Sequence, residues 1–350
     1  MRFSHAGFAA FAGFLSLSSL FFLMAGQLPD RANARRDQAI RVEVEMVSLP
    51  VIVTDEKGNY RMDLQNSNFA VYDNGVLHEI AGFATVVEPI SVALALDTSG
   101  STEFQLRLIQ DEAIRFVNLL RPDDSVAILS FADGVRLLEH FSLYHKKNPD
   151  VIRTIRPGGL SAVYEAVRFA LENVLKPEYG RKALVLFSDG VDNRSENVSE
   201  EETLELARQT DAPIYCVYFN TDSDRYRRMP RMIDPLFESS QPLLVAPQSP
   251  PFRIPKITPG DHPEYAAGHE YMMKLSQYSG GFLFEASKTD NLRSAFQRVA
   301  RELSNQYSIG YYPKVLSHDG RFHKVEVRVN KPGLRVRTKQ GYFDRLQQNR

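Results

Sequence analysis

The stretch Ser91-Val-Ala-Leu-Ala-Leu-Asp-Thr-Ser-Gly-Ser101 decides the fold that we predict for this chain of 350 residues. Its first six residues carry no charge and are mostly apolar, which is typical of a strand buried on both faces of a parallel sheet. The strand ends at Asp97, and hydroxyl groups follow at Ser99 and Ser101. Three oxygen donors on one short loop suit a hard divalent cation such as Mg²⁺. A D-x-S-x-S string is weak support by itself, because short serine-rich loops are common.

Two later segments strengthen this prediction. Pro157-Gly-Gly-Leu-Ser161 contains two glycines that permit a tight turn, and Ser161 then opens a helical pattern. A second buried strand, residues 182–188, ends at Asp189. Loops of this kind gather at the carboxyl ends of the strands in a parallel α/β sheet, where ligands bind. The sequence therefore predicts one site formed by Asp97, Ser99, Ser101, Ser161 and Asp189.

This set resembles the metal-ion-dependent adhesion site of the von Willebrand factor type A (vWA) fold. The family pattern is D-x-S-x-S, then a threonine after a glycine-rich turn, then the aspartate of a strand-end S/T-D-G. The resemblance implies that Ser99 and Ser101 bind the metal directly, and that Asp97 and Asp189 act mostly through bound water. Ser161 stands where the family has threonine, which keeps the hydroxyl but loses a methyl group, so we expect a modest loss of affinity. Mg²⁺ is the expected ion, and Mn²⁺ and Ca²⁺ also fit oxygen ligands.

The resemblance also implies a function. An ion held mainly by neutral hydroxyls and water keeps much of its positive charge, so an Asp or Glu carboxylate of a partner protein can complete its coordination. One alternative is a structural component of the cell envelope in which any metal only holds three loops together. A metal-dependent hydrolase is a weaker alternative, because the site loops contain no histidine and the chain has no H-E-x-x-H, G-x-S-x-G or phosphate-loop motif. We therefore expect no enzymatic activity.

Composition limits the other classes of function. A formal net charge of −1 argues against a general nucleic-acid-binding protein, which carries a basic excess. Hydrophobic residues make up 43% of the chain and charged residues 24%, as in soluble globular proteins. The single cysteine, Cys216, lies within the apolar run 213–219 and is expected to be a small core side chain.

The N-terminus differs from the rest of the chain. Residues 6–25 carry no charge, a short basic start precedes them, and Ala32-Asn-Ala34 supplies a plausible cleavage site. This pattern predicts that residues 1–34 are a secretory signal peptide, or an uncleaved membrane anchor, because the run is just long enough to span a bilayer. We expect an exported protein that is periplasmic, secreted or part of the cell envelope, with membrane contact only through this segment.

Residues 88–306 alternate strand and helix patterns as an α/β fold requires. We predict a Rossmann-like, doubly wound vWA domain with a mostly parallel sheet and an antiparallel edge strand at 135–141, joined to strand 125–132 by Asp133-Gly134. The remaining predicted strands are 91–97, 182–188, 213–219 and 281–285, and the predicted helices are 104–120, 161–175, 199–210, 264–278 and 289–306.

Two further segments have the alternating pattern of antiparallel strands. Residues 41–87 contain turn signals at Asp55-Glu-Lys-Gly-Asn59 and Asp73-Asn-Gly75, the second of which precedes a predicted strand from Val76 to Phe83. Residues 307–343 contain predicted strands at 307–312, 322–329 and 334–343, with a Lys331-Pro-Gly333 turn between the last two. Fewer than fifty residues are few for an independent core, so we expect the two segments to form one small β-sandwich-like unit.

The order of these segments also resembles the bacterial VWFA-related domain proteins, through Asn68-Phe-Ala-Val-Tyr-Asp-Asn-Gly75, Tyr307-Ser-Ile-Gly-Tyr-Tyr-Pro313 and the metal-site strings. Residues 220–263 depart from the compact pattern, with nine prolines between Pro230 and Pro263 and an arginine cluster at 225–231. We hypothesise that this insertion shapes partner recognition beside the metal. A solvated insertion without function is an equal alternative.

Overall fold

The computed structural model of the chain describes residues 46–85, 88–143, 148–219, 263–286, 289–314 and 320–344. The predicted signal or anchor segment 1–34 and nearly all of the insertion 220–263 lie outside these residues. Among the described residues, no helix is both long enough and apolar enough to cross a membrane.

The described residues form fourteen strands and five helices, besides short 3₁₀ and π segments. The strands are β1 Val47–Asp55, β2 Phe69–Asp73, β3 Val76–His78, β4 Ile80–Ala84, β5 Ile90–Asp97, β6 Ser125–Phe131, β7 Val135–Leu143, β8 Arg181–Ser188, β9 Ile214–Tyr218, β10 Phe282–Glu285, β11 Tyr307–Tyr311, β12 Phe322–Val329, β13 Leu334–Arg337 and β14 Gly341–Phe343. The helices are α1 Leu106–Leu119, α2 Val163–Phe169, α3 Glu200–Gln209, α4 Pro263–Ser279 and α5 Thr289–Ser304.

The central sheet has six strands in the order β10-β9-β8-β5-β6-β7. All its pairings are parallel except that of β6 with the edge strand β7. Strand β5 lies in the middle and is buried on both faces: Val92, Leu94 and Leu96 pack with α1 and α5, whereas Ala93 and Ala95 pack with α2, α3 and α4. The predicted α/β class, with a mostly parallel sheet and an antiparallel edge strand, is therefore confirmed.

The strands from the two ends of the described chain form two antiparallel sheets of four strands each, in the orders β13-β1-β11-β4 and β14-β12-β2-β3. Each sheet combines an N-terminal and a C-terminal segment, because β1 pairs with β11 and β2 pairs with β12. Side chains of both sheets share one core that includes Val51, Val71, Ile309 and Val327. The predicted β-sandwich-like unit is thus present. The division of the chain into domains near residues 88 and 306 stays a prediction.

A buried carboxylate links these two sheets. Asp73 at the end of β2 accepts hydrogen bonds from the Tyr311 hydroxyl of the opposite sheet at 3.0 Å and from the Tyr342 hydroxyl at 2.9 Å. Its other oxygen lies 3.0 Å from Nδ1 of His323. Three partners satisfy a charge that would be costly to bury alone, and the bond to Tyr311 ties the two sheets together at this point.

Two predicted strands are each divided between the sheets. The segment from Val76 to Phe83 breaks at Glu79, so that β3 lies in one sheet and β4 in the other. Residues 334–343 are likewise split into β13 and β14, which lie in different sheets. A strand that turns the corner of a sandwich keeps its alternating pattern, and for this reason the sequence alone suggests one continuous strand.

Candidate metal centre

All five residues predicted to form the site lie at the carboxyl edge of the central sheet. Asp97 is the last residue of β5, and Ser99 and Ser101 follow it on the loop that leads to α1. Asp189 comes directly after β8, and Ser161 lies two residues before α2. Strands β5 and β8 are parallel neighbours, so their ends bring the two aspartates to the same place.

The five residues form one hydrogen-bonded cluster, whose two halves are joined by Ser99 N, which donates to Asp97 Oδ1 at 3.0 Å. Ser161 Oγ donates to Asp97 Oδ2 at 2.9 Å, and Ser101 Oγ donates to Asp189 Oδ2 at 3.1 Å. The Oγ atoms of Ser99 and Ser101 are 3.0 Å apart. Four of the residues are buried, whereas Ser101 is half-buried at the opening of the cluster.

The charged form of Asp97 is disfavoured where it lies. The pKa of Asp97 is raised to about 6, first because the carboxyl group is fully buried and second because Asp189 lies nearby. Hydrogen bonds from Ser188 and Ser99 oppose this rise in pKa without cancelling it. A cation placed among these oxygens would relieve both the burial cost and the repulsion.

This donor set fits a hard divalent ion. Three hydroxyls and two carboxylates are oxygen ligands of the type that Mg²⁺ prefers. The described residues contain no group of three or more His, Cys, Asp and Glu side chains that could hold a metal, so a site here depends on the serine hydroxyls. The ion would supply a positive charge at the point where the three loops meet.

Backbone hydrogen bonds hold the loop of Ser99 against the loop of Ser161. Gly100 N donates to Gly159 O at 3.0 Å, and Gly158 N donates to Thr98 O at 2.9 Å. Gly159 has φ +81°, and a Cβ atom there would lie 2.2 Å from Asp133 Oδ2. Glycine therefore suits the backbone conformation of this turn, and a larger residue there would also displace the Asp133 side chain.

Ser188 and Asn193 support the cluster, and neither was included in the predicted site. Ser188 Oγ donates to Asp97 Oδ2 at 2.7 Å and accepts from Gly190 N at 2.9 Å. Asn193 Oδ1 accepts from Ser161 N at 2.7 Å, and Asn193 N donates to Ser161 O at 3.0 Å. The place of Ser188 just before Asp189 was a usable signal. No local pattern marked Asn193, which acts across 32 residues of sequence.

The loop after β8 also caps the N-terminus of α2. Ala162 at the N-cap position has no side chain able to accept a hydrogen bond. Instead, Asp192 Oδ2 accepts from Tyr164 N at 2.9 Å, and Ser195 Oγ accepts from Glu165 N at 3.1 Å. These contacts satisfy backbone donors that the helix itself leaves without partners, and they fix the position of Ser161 relative to Asp189.

Helix α4 touches this loop through glycine on both sides. A Cβ atom at Gly190, where φ is +76°, would lie 2.4 Å from the carbonyl oxygen of Gly268 in α4. A Cβ atom at Gly268 would lie 2.6 Å from the carbonyl carbon of Gly190 and 2.8 Å from Asp189 O. The helix backbone thus rests directly on the residues that hold Asp189.

Comparison with solved structures gives matches of low sequence identity. Proximal thread matrix protein 1 (PTMP1) from the mussel byssus is 13% identical with a TM-score of 0.45, and the match covers 66% of this chain and 51% of that one, so the chain spans about half its length. A second structure of PTMP1 has zinc in its metal-ion-dependent adhesion site (MIDAS) motif. The vWF domain of the type V pili tip protein Mfa5 from Porphyromonas gingivalis is 12% identical with a TM-score of 0.42, covering 61% of this chain and 94% of that one. A von Willebrand factor type A structure from Catenulispora acidiphila is 10% identical with a TM-score of 0.44, covering 86% and 75%.

Comparison with known sequences identifies the family of residues 92–191, which form part of the central sheet and its covering helices, here called the α/β core. No curated protein matches the chain. Residues 92–191, however, match the sequence model of the von Willebrand factor type A domain, and this segment contains all five predicted ligand residues. The chain is therefore a protein with a von Willebrand factor type A domain.

Proposed function

We propose that this protein binds Mg²⁺ or a similar divalent cation at its vWA domain and uses the ion to capture an acidic residue of a partner protein. Ser99, Ser101 and Ser161 would offer hydroxyl oxygens to the ion, while Asp97 and Asp189 would act through bound water. The observation that carries this proposal is the cluster of five oxygen-bearing side chains at the meeting point of three loops.

The chemistry of the cluster favours capture of a carboxylate over mere storage of the ion. Hydroxyl ligands do not neutralise a divalent cation, so the bound ion keeps a net attraction for an external anionic oxygen. The half-buried position of Ser101 leaves the cluster approachable on that side. Partner and metal each strengthen the binding of the other, because the partner completes the coordination of the ion.

The first test is titration of Mg²⁺ and Mn²⁺ into the purified chain, with binding measured by calorimetry and by thermal shift. We expect binding to the unaltered chain and none to the Asp97→Ala/Ser99→Ala double variant. Asp150→Ala is the control, because Asp150 is exposed and lies on a different segment. Equal titration curves for the unaltered chain and the double variant would contradict a metal site here.

A structural role is the second candidate, in which the ion would only add to the direct hydrogen bonds between the loops. Gly100 with Gly159 and Gly158 with Thr98 already join the two loops without an ion. A purely structural site predicts a melting temperature that rises with Mg²⁺ but no partner that EDTA releases. The adhesive function predicts a melting temperature that rises with Mg²⁺ and also a partner that EDTA releases.

We propose further that the site is not catalytic and that the chain is exported. Hydrolysis needs a base or an activated water beside the ion, and the ligand set contains no histidine to act as that base. Turnover of an ester or a phosphate that disappears in Asp97→Ala would overturn this. The export proposal is supported by the uncharged run 6–25, and sequencing the N-terminus of the protein recovered from its own cells would test cleavage near Ala34.

A further inference from the structure

We propose that the protein binds one chloride ion in a small cavity between the α/β core and the sandwich, at the amino edge of the central sheet. The candidate metal centre lies at the opposite, carboxyl edge, so the two sites are independent of each other. Two observations carry the inference: a buried arginine with an unpaired N–H group, and a polar cavity beside that arginine with an excess of positive charge.

The cavity lies where the starts of β8 and β9 meet the paired strands β1 and β11 of the sandwich. Its volume is about 20 Å³. One water molecule needs about 10–15 Å³, so the cavity has room for a single small ion but not for phosphate or sulfate. The polar side chains that line it belong to Ser48, Arg181, Lys182, Asp211, Gln306 and Ser308.

Arg181, the first residue of β8, is a buried cation in this lining, and only 8% of it is exposed. Its guanidinium makes three hydrogen bonds to described residues, and all three end on neutral oxygens. Nη1 donates to Glu88 O at 2.9 Å, and Nη2 donates to Leu303 O at 2.8 Å and to Gln306 Oε1 at 3.4 Å. Its Nε is buried and has no acceptor among the described residues. A guanidinium keeps its charge inside proteins, so both a counter-ion and an acceptor for Nε would stabilise it.

Gln306 places the guanidinium of Arg181 beside the cavity, because the two side chains are hydrogen-bonded and both residues line it. The oxygen of the Gln306 side chain is engaged in this bond, which leaves its amide nitrogen as a further donor. The Oγ atoms of Ser48 and Ser308 are 3.4 Å apart. One hydroxyl proton serves the bond between these serines, and the other is available to a bound ion.

The charge of the lining favours an anion over a water molecule. Lys182 Nζ donates to Glu178 O at 3.0 Å and forms an ion pair with Asp211 at 3.1 Å. This pair offsets the charge of Asp211, so that the positive charge of Arg181 remains. A water molecule could accept from Arg181 Nε but would bring no charge to offset the guanidinium, whereas chloride does both.

An ion in this position would join the two parts of the protein. Arg181 and Lys182 belong to the α/β core, whereas Ser48 and Ser308 belong to the sandwich. An anion that binds only when these residues are brought together stabilises the folded chain, in proportion to the logarithm of its concentration once the site is saturated. The inference therefore predicts a stability that depends on chloride itself and not only on ionic strength.

The test is titration of the full chain with sodium chloride in EDTA, with sodium gluconate added to keep the ionic strength constant. EDTA excludes chloride bound to a metal ion. We expect the chloride NMR signal to broaden in a saturable way and the melting temperature to rise as chloride replaces gluconate. A melting temperature and a line width that do not respond to this exchange would overturn the inference.

Crystals soaked in sodium bromide locate the ion. We expect an anomalous peak in the cavity, within hydrogen-bond distance of Arg181 Nε. Density there without an anomalous signal, as a water molecule gives, would overturn the inference. Bromide at surface positions alone would mean an adventitious ion only and would overturn it as well.

Variants test the two sides of the cavity by the same chloride titration. Arg181→Lys keeps the charge but removes the unpaired Nε–H, and it should weaken chloride binding about tenfold. Ser308→Ala is a milder change that should also weaken binding, and it decides the question if Arg181→Lys does not fold. Ser91→Ala is the matched control, because Ser91 Oγ lies 3.0 Å from Ser125 Oγ in a similar serine pair outside the cavity lining. Equal chloride affinity of Ser308→Ala and Ser91→Ala would contradict the proposed site.

Discussion

Burial of Asp97 makes the stability of the metal-free protein depend on pH. The pKa of Asp97 in the folded metal-free protein is about 6, against an ordinary value of 3.8, because of burial and then because of Asp189. The folded chain therefore holds the proton more tightly than the unfolded chain does. The stabilisation is fully present below pH 3.8 and is lost as the pH rises through about 6, to a total of about 3 kcal/mol at most.

We predict that Asp97→Asn raises the free energy of unfolding of the metal-free protein at pH 7 while it abolishes Mg²⁺ binding. Asparagine has no charge to bury, and its amide can donate to Ser161 Oγ and Ser188 Oγ once those hydroxyls rotate. Urea unfolding in EDTA at pH 7 and pH 4 measures the effect. The gain over the unaltered chain should shrink at pH 4, and a difference independent of pH would contradict the explanation.

The same pKa predicts how metal binding depends on pH. Protons and Mg²⁺ compete for the carboxylate form of Asp97, so the affinity for Mg²⁺ should fall as the pH drops below about 6. Calorimetric titrations at pH 7.5, 6 and 5 would measure this. Affinity that stays constant over that range would mean that Asp97 keeps its charge without the metal.

Some residues of the site can be predicted from the sequence and others cannot. Asp97, Ser99, Ser101, Ser161 and Asp189 follow strand ends or glycine turns, so their grouping could be predicted from local pattern alone. The structure brings these five side chains together, and their role as metal ligands stays a prediction. Asn193 could not be predicted in the same way, because its value comes from a contact with Ser161 that only the folded chain creates.

At the scale of elements, the contact of α4 with the loop after β8 gives a further prediction. Gly268→Ala should weaken Mg²⁺ binding about tenfold, since the new methyl group would collide with Gly190 and Asp189 O and displace the loop. Ala267→Ser is the control, because Ala267 is exposed on the same helix. Calorimetric titration of both variants with Mg²⁺ measures this change in affinity. Unchanged affinity in Gly268→Ala would show that the helix yields instead of the loop.

Local pattern predicted the elements of the central sheet better than those of the sandwich. Continuous apolar runs marked β5, β8 and β9, since these strands are buried on both faces. The Asn74-Gly75 pair also predicted the hairpin of β2 and β3. In the structure these two residues adopt φ values of 47° and 80°, which suit a tight turn. The breaks at Glu79 and after Arg337 were missed, because the choice between two sheets depends on partners far away in sequence.

One carboxylate on the last helix of the α/β core contributes to the contacts between this core and the sandwich. Glu302 of α5 accepts a hydrogen bond from the Tyr60 hydroxyl at 2.8 Å and forms an ion pair with Arg337. Tyr60 and Arg337 belong to the segments that build the sandwich, and β11 follows α5 after only two residues. The sandwich and the α/β core therefore share an interface with charged contacts and a very short connection.

We predict that the protein unfolds in one cooperative transition. Tyr60→Phe should lower its free energy of unfolding by about 2 kcal/mol, because the lost hydrogen bond goes to a carboxylate. Scanning calorimetry and urea unfolding measure the two quantities. Tyr179→Phe is the control, because Tyr179 is almost wholly exposed. Two separate transitions in the unaltered chain would show that the sandwich and the α/β core unfold independently.

The pairing of β1 with β11 sets an order on synthesis. Ser48 meets Ser308 across 260 residues, so β1 emerges from the ribosome long before the strand beside which it belongs. At ordinary rates of translation the delay is roughly 13 to 50 seconds. During that time β1 and β2 present unsatisfied edges and apolar side chains. The α/β core, which is synthesised after β2 and before β11, can already be folding. The edges of β1 and β2 that face the C-terminal strands are covered only when those last strands arrive to close the sandwich.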